Sequence, residues 1–186
     1  MKSHYTMEIA GVKRDLPLFA VNENLYIAAF IMFGDVEITK ACAKELLKKV
    51  PEHDIMITAE CKGIPLLYEM ARQEDAENYI VARKKPKVYM KNVIHSAVES
   101  ITTVGEQDLC IGDADIAAMK GKRVLLVDDV ISTGGSISAI ESLVEQAGGN
   151  IVGKAAVLVE GDAMERGDVI YLEKLPLFDK DGNPID

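Results

Sequence analysis

The sequence predicts an α/β fold with a mainly parallel central sheet flanked by helices. Two observations predict it. Short apolar runs alternate with segments of helical periodicity, in the order strand, helix, strand, helix. One of those runs, RVLLVDD (123–129), is apolar at consecutive positions, the pattern of a strand covered on both faces. The 186 residues suit a single domain over 1–186, by the rough rule of ~100–200 residues each.

The elements follow in chain order. Residues 1–34 read as irregular, and the apolar stretches RDLPLFAV and ENLYIAAFIMFG have no clean period. They suggest a small substructure on a larger core. Asp35 starts a helix at 36–49, with Ile38, Ala41, Cys42, Leu46 and Leu47 on one face and Pro51 beyond its end. DIMITAE (54–60) is a buried strand. Gly63 and Pro65 open a helix running to about Arg72. NYIVAR (78–83) is a strand that ends in the basic run RKKPK (83–87). Residues 88–112 alternate weakly and suggest an antiparallel excursion or a mobile flap. After RVLLVDD, Ser136 to Ala147 is a helix with Ile137, Ile140, Leu143, Val144 and Ala147 inward, ended by Gly148-Gly149. IVGKAAVLVE (151–160) is a further strand, and DVIYLEKL (168–175) an edge strand before a polar tail, 176–186. In such sheets ligands bind beyond the carboxyl ends of the strands. Asp128, Asp129, Glu60, Arg83 and Glu160 stand at those ends, facing one expected cleft.

Composition excludes several classes. No apolar run approaches the ~20 residues of a membrane span, and MKSHYTMEIAGVKRD lacks the apolar stretch of a secretory signal. Cys42, Cys61 and Cys110 are odd in number and widely spaced, which fits reduced thiols in a cytoplasmic protein. His4, His53 and His95 are scattered, and no Cys/His cluster has zinc spacing. The net charge of −9 argues against a nucleic-acid partner. An anionic ligand must therefore be met by local cations, a metal ion or backbone N–H groups.

The stretch VLLVDDVISTGGS (124–136) carries the chemistry. Ser132, Thr133, Gly134, Gly135 and Ser136 lie between a strand and a helix N-terminus. Glycine allows close approach and positive φ, and the free N–H groups and helix dipole favour a phosphate. No lysine follows the glycines and GxGxxG is absent, so the cradle is of neither the nucleoside triphosphate nor the dinucleotide type. The loop alone also fits a plain glycine-rich turn with a Ser N-cap. The adjacent carboxylates of Asp128 and Asp129 repel one another and resist desolvation. They are tolerated where vicinal hydroxyls or a cation meet them. Diol-binding acids followed by a phosphate loop describe a ribose 5-phosphate site.

These residues resemble the phosphoribosyl diphosphate (PRPP) signature of type I phosphoribosyltransferases: four apolar residues, two acids, a spacer, then Thr-Gly-Gly with a hydroxyl residue. The resemblance implies that Asp128 and Asp129 hold the ribose hydroxyls and act in catalysis, and that residues 132–136 hold the 5′-phosphate. ECKG (60–63) is similar to the Glu-Ser-Arg-Gly turn of the adenine branch, whose peptide is often cis. It implies a pyrophosphate site at Cys61, Lys62 and Gly63, with Lys62 in place of arginine. RKKPK resembles the basic run of purine members. It implies that Arg83, Lys84 and Lys87 neutralise the departing pyrophosphate, Lys84 as a catalytic residue, with Mg²⁺ accompanying PRPP. A homodimer is implied as well.

The resemblance further makes 1–34 a hood over the base, 35–175 the core and 88–112 a flap that excludes water. No catalytic residue is assigned within SITTVGEQD (100–108), and Glu106 there and Glu99 just before it are the acidic candidates. For the purine, Phe30 or Phe33 would stack on the ring. Met32 stands where xanthine-type members carry an amide, and Gly161 where they carry a lysine. Losing both polar readers favours adenine over an oxopurine. A xanthine/hypoxanthine-type transferase, or a non-catalytic PRPP-binding regulator similar to the effector domain of the bacterial purine repressor, stays open beside it.

Overall fold

The structure, a computed structural model, describes residues 2–98 and 107–185. Residues 1–34 are not irregular. They form an antiparallel sheet of β1 (His4–Ile9), β2 (Val12–Ala20) and β3 (Tyr26–Ala28). β1 and β2 pair from His4–Pro17 to Ile9–Val12, closed by Ala10 and Gly11 at φ 51° and 79°. A two-residue turn with both residues left-handed matches the twist of a hairpin. Its usual signature is Asn-Gly, and the alanine concealed it.

The core runs α1 (Val36–Leu47), β4 (Ile55–Ala59), α2 (Ile64–Gln73), β5 (Ile80–Ala82), β6 (Ile94–Val98), β7 (Gln107–Ile111), α3 (Asp113–Met119), β8 (Arg123–Ile131), α4 (Gly135–Gln146), β9 (Asn150–Glu160) and β10 (Ile170–Leu175). A 3-10 helix, Gly161–Glu165, follows β9. The five-stranded sheet has the order β10-β9-β8-β4-β5, every neighbouring pair parallel. The predicted fold class is thus the observed one. β6 and β7 form the expected antiparallel excursion. α3, which the sequence reading left unassigned, begins where the Asp115 carboxylate accepts the Gly112 N–H at 3.2 Å.

β8 is the middle strand, and its alternation organises the core. Leu125 and Val127 join the cluster under α1, α2 and the hood, while Val124, Leu126 and Ile131 join the cluster under α4. All five are at most 2% exposed. That double burial is why the run carries no polar alternation until Asp128.

Among the described residues, two fastenings hold the hood to the core most plainly. Arg14 of β2 donates through Nε and Nη2 to Asp35 at 2.7 and 3.0 Å, and through Nη2 to Glu37 at 2.8 Å. Asp35 is also the N-cap of α1, accepting the Ile38 N–H at 3.2 Å. The second fastening lies in 176–186, read from sequence as a polar tail. Phe178 is fully buried, its ring 5.0 Å from that of Tyr5, and it exchanges two backbone hydrogen bonds with Tyr26 of β3. The apolar Leu177 and Phe178 sit inside a polar stretch, which masked their role.

Candidate active site

The carboxyl ends of β4, β5 and β8 bring the chemistry-bearing residues together. Asp128 and Asp129 close the apolar run of β8 and are 9% and 1% exposed. Asp128 Oδ1 accepts the Asp129 N–H at 2.9 Å, which turns that carboxylate back onto its own strand. Burial, and then the charge of Asp129, push the Asp128 carboxyl well above the usual range. Lys62 reaches across from the turn after β4 and donates to Asp129 Oδ2 at 2.9 Å. Burial alone would lower the Lys62 pKa, but the charge and hydrogen bond of Asp129 outweigh it and hold the ammonium form.

The turn 60–63 approaches the aspartates closely. A Cβ on Gly63 would lie 2.2 Å from Thr58 Oγ1 and 3.2 Å from Asp128 Oδ1, so only glycine fits. The Glu60–Cys61 peptide is cis, as the resemblance implied for this turn. Cys61 is exposed; Cys42 and Cys110 are buried, and burial pushes the Cys42 thiol up to about 12. Glu60 ties this turn to the basic run, since its Oε2 accepts the Lys84 N–H at 3.0 Å and lies 3.5 Å from Arg83 Nε. Arg83 also exchanges two backbone hydrogen bonds with Cys110 of β7. Lys84 is exposed and Lys87 half-buried. The geometry therefore gathers Asp128, Asp129, Cys61, Lys62, Gly63, Arg83 and Lys84 along adjacent strand ends.

The loop from Ser132 to Ser136 follows at once. Gly134 is the N-cap of α4 at φ 83°, and no side chain caps the helix there. Ser136 lies inside the helix, not at its cap. The first-turn N–H groups thus lack a side-chain acceptor, the condition under which a helix start receives an anion. Thr133 and Ser136 are exposed beside them.

Of the three residues expected to meet the base, two are buried and one is half-exposed. Phe30 and Met32 are 5% and 1% exposed and belong to the cluster joining hood to core. Phe33 is 50% exposed. Met32 lines a cavity of about 500 Å³ with Asp35, Pro65, Tyr68 and Arg72, whose lining includes neither aspartate of the pair nor the phosphate loop. Gly161 has a left-handed φ of 55°, and a Cβ there would meet Leu177 at 3.6 Å, so backbone conformation disfavours a lysine at this position. Glu99 and Glu106 lie outside the described residues.

Sequence reasoning passed over Thr58. Its hydroxyl is buried without a hydrogen-bond partner beneath the turn, and its one signal was a polar residue inside the apolar IMITA.

The family model of the phosphoribosyl transferase domain matches residues 35–177. The chain belongs to that family. It is an enzyme of the phosphoribosyltransferase class, and the matched span is the core without the three-stranded hood. An adenine phosphoribosyltransferase of Acetivibrio thermocellus is 31% identical over 155 residues, 79% of this chain and 84% of the relative. A hypoxanthine/guanine phosphoribosyltransferase of Methanothermococcus okinawensis is 34% identical over 119 residues, 63% of this chain and 61% of the relative. The adenine phosphoribosyltransferase structure from Rhodothermus marinus shares the fold, with a TM-score of 0.62 at 22% identity over 93% of this chain and 94% of that one. Among the described residues no helix is long and apolar enough to cross a membrane.

Proposed function

We propose that this phosphoribosyltransferase moves the 5-phosphoribosyl group of PRPP to a ring nitrogen of a purine, adenine above the others, releasing pyrophosphate and a nucleoside monophosphate. The observation that carries it is the buried pair Asp128–Asp129, placed directly ahead of an uncapped, glycine-led helix start and within reach of Lys62. On this reading the two carboxylates accept the 2′ and 3′ hydroxyls, and residues 132–136 take the 5′-phosphate. Lys62 then exchanges Asp129 for the pyrophosphate oxygens, beside Arg83, Lys84 and Lys87. The transition state resembles a ribosyl oxocarbenium ion, so the work is positioning and leaving-group neutralisation.

Among the described residues no three His, Cys, Asp or Glu side chains converge as a metal cage. The hard donors present are Asp128 and Asp129, and Mg²⁺ commonly takes one or two carboxylates together with substrate phosphates. These residues fit an ion that arrives with the diphosphate, where it supplies further neutralisation of the leaving group. The same reading makes the protein a homodimer acting in the cytoplasm.

Adenine rests on the Acetivibrio relative and on the glycine at 161. The Methanothermococcus relative supports hypoxanthine or guanine as the second reading. One experiment decides: PRPP and Mg²⁺ with adenine, hypoxanthine, xanthine, guanine or uracil, reading pyrophosphate and nucleotide formed. Adenine turnover is expected to exceed the rest. Preference for a 6-oxopurine overturns the adenine assignment. PRPP binding without turnover on any base overturns the catalytic reading in favour of a sensor.

A further inference from the structure

The segment after β9 brings a positive group to the phosphate loop. Arg166 ends the 3-10 helix with its guanidinium clamped by Asp168, Nε to Oδ1 at 2.9 Å and Nη2 to Oδ2 at 2.7 Å. Asp168 is itself held by Lys154 of β9 at 2.7 Å, and Lys154 pairs in turn with Glu141 of α4. Arg166 and then Lys154 keep the Asp168 carboxyl well below its usual range, so the clamp stays charged. The clamp occupies one edge of the guanidinium. Nη1, on the other edge, lies against the loop: a Cβ on Gly134 would fall 2.7 Å from it.

Two facts make this contact informative. The loop has no lysine of its own, and the chain as a whole carries a charge of −9. Lys62 is already paired at the aspartates, with Asp129, and so is not aimed at the loop. The positive φ of Gly134 favours glycine there, and the guanidinium lies directly beside it.

We propose that Arg166, oriented by Asp168, is a further substrate-binding residue that contacts the 5′-phosphate. This rests on the assignment of residues 132–136 to that phosphate. Arginine suits the task because a guanidinium held along one edge still presents donors along the other.

The test separates the two ends of the substrate. Inhibition constants for ribose 5-phosphate and for pyrophosphate are measured on the wild type, Arg166→Gln, Arg166→Lys and Asp168→Asn, with the KM for PRPP and kcat. Arg166→Gln should weaken ribose 5-phosphate and raise the KM for PRPP by about 10–100-fold, the loss of one charge-assisted contact. Pyrophosphate inhibition and kcat at saturating PRPP should change by less than about 3-fold. Arg166→Lys should recover part of the loss, and Asp168→Asn should cost less than Arg166→Gln because the charge remains. Equal weakening of both ligands would reduce Arg166 to a structural anchor and overturn the proposal. So would unchanged ribose 5-phosphate inhibition in Arg166→Gln. A wild type that binds pyrophosphate but not ribose 5-phosphate would overturn the phosphate loop itself, and Arg166 with it.

Discussion

The two ends of β8 treat charge in opposite ways. At its start Arg123 donates to Asp54 at 3.0 Å and to Glu52 at 3.1 Å, and its backbone N–H is accepted by Asp54 at 2.8 Å. Hydrogen bonds from the Arg123 side chain and backbone hold the Asp54 carboxyl down, at about 2. At its finish one of two buried aspartates, Asp129, pairs with the half-exposed Lys62, and Asp128 is pushed the other way. The first end answers its charges within the chain. The second leaves acceptors that a bound diol and cation would answer. One strand thus separates a solvated structural clamp from a site kept unsatisfied, the usual trade between stability and function.

That contrast can be broken or sharpened by mutation. The largest effect is expected from Asp128→Asn with Asp129→Asn. Titration calorimetry should show PRPP affinity falling by about 10²–10⁴-fold, the loss of two charge-assisted contacts, with the circular dichroism of the fold retained. Unchanged affinity would remove the ribose assignment. Lys62→Ala comes next, with a KM for PRPP about 10-fold higher and little change in the KM for the base.

Asp128→Asn alone addresses stability. The folded Asp128 carboxyl titrates above its unfolded value of ~3.9. Its stabilising protonated form is therefore fully present below ~4 and is lost as pH rises through the folded value. At pH 8 the asparagine variant should melt about 2–4 °C above wild type, the shift that ~1 kcal/mol makes in a chain of this size. The gain should vanish near pH 4. A gain that grew on acidification would sink the idea.

The smallest effect belongs to Arg123→Ala. Its kcat and KM should stay within about 2-fold of wild type, and any loss of stability should fade in high salt. Asp54 has a depressed folded pKa, so its contribution is present above ~4 and lost as pH falls toward about 2. Thermal melts from pH 5 to pH 2 should show the variant and wild type converging.

The contrast also explains what was legible in the sequence. The β8 run and the loop after it could be read residue by residue, because double burial leaves only apolar residues and function then breaks the pattern abruptly. The helix at Val36–Leu47 was equally plain, from its Asp35 cap and one apolar face. The hood was hidden, since the hairpin turns on Ala10-Gly11 and β3 is three residues long. Its missing partner is Phe178, far along the chain, which no local window contains. Phe30 was assigned to the base as an aromatic and Met32 by its place opposite an amide of xanthine-type members, and neither signal carried the burial that both have between hood and core. Arg166 was invisible for a similar reason, because its relation to Gly134 exists only after the chain has folded.

The Tyr26–Phe178 pairing bears on the order in which the molecule assembles. Contacts between residues far apart in sequence form late, because loop entropy is lost before the contact is gained. The parallel core needs no part of that bridge and can close first. The hood is then the last region to lock and the first to open. Hydrogen exchange should show the amides of Tyr26 and Phe178 opening well before those of Leu125 and Leu126. The protein would thus pass through a state whose sheet is finished while its N-terminal cover still moves.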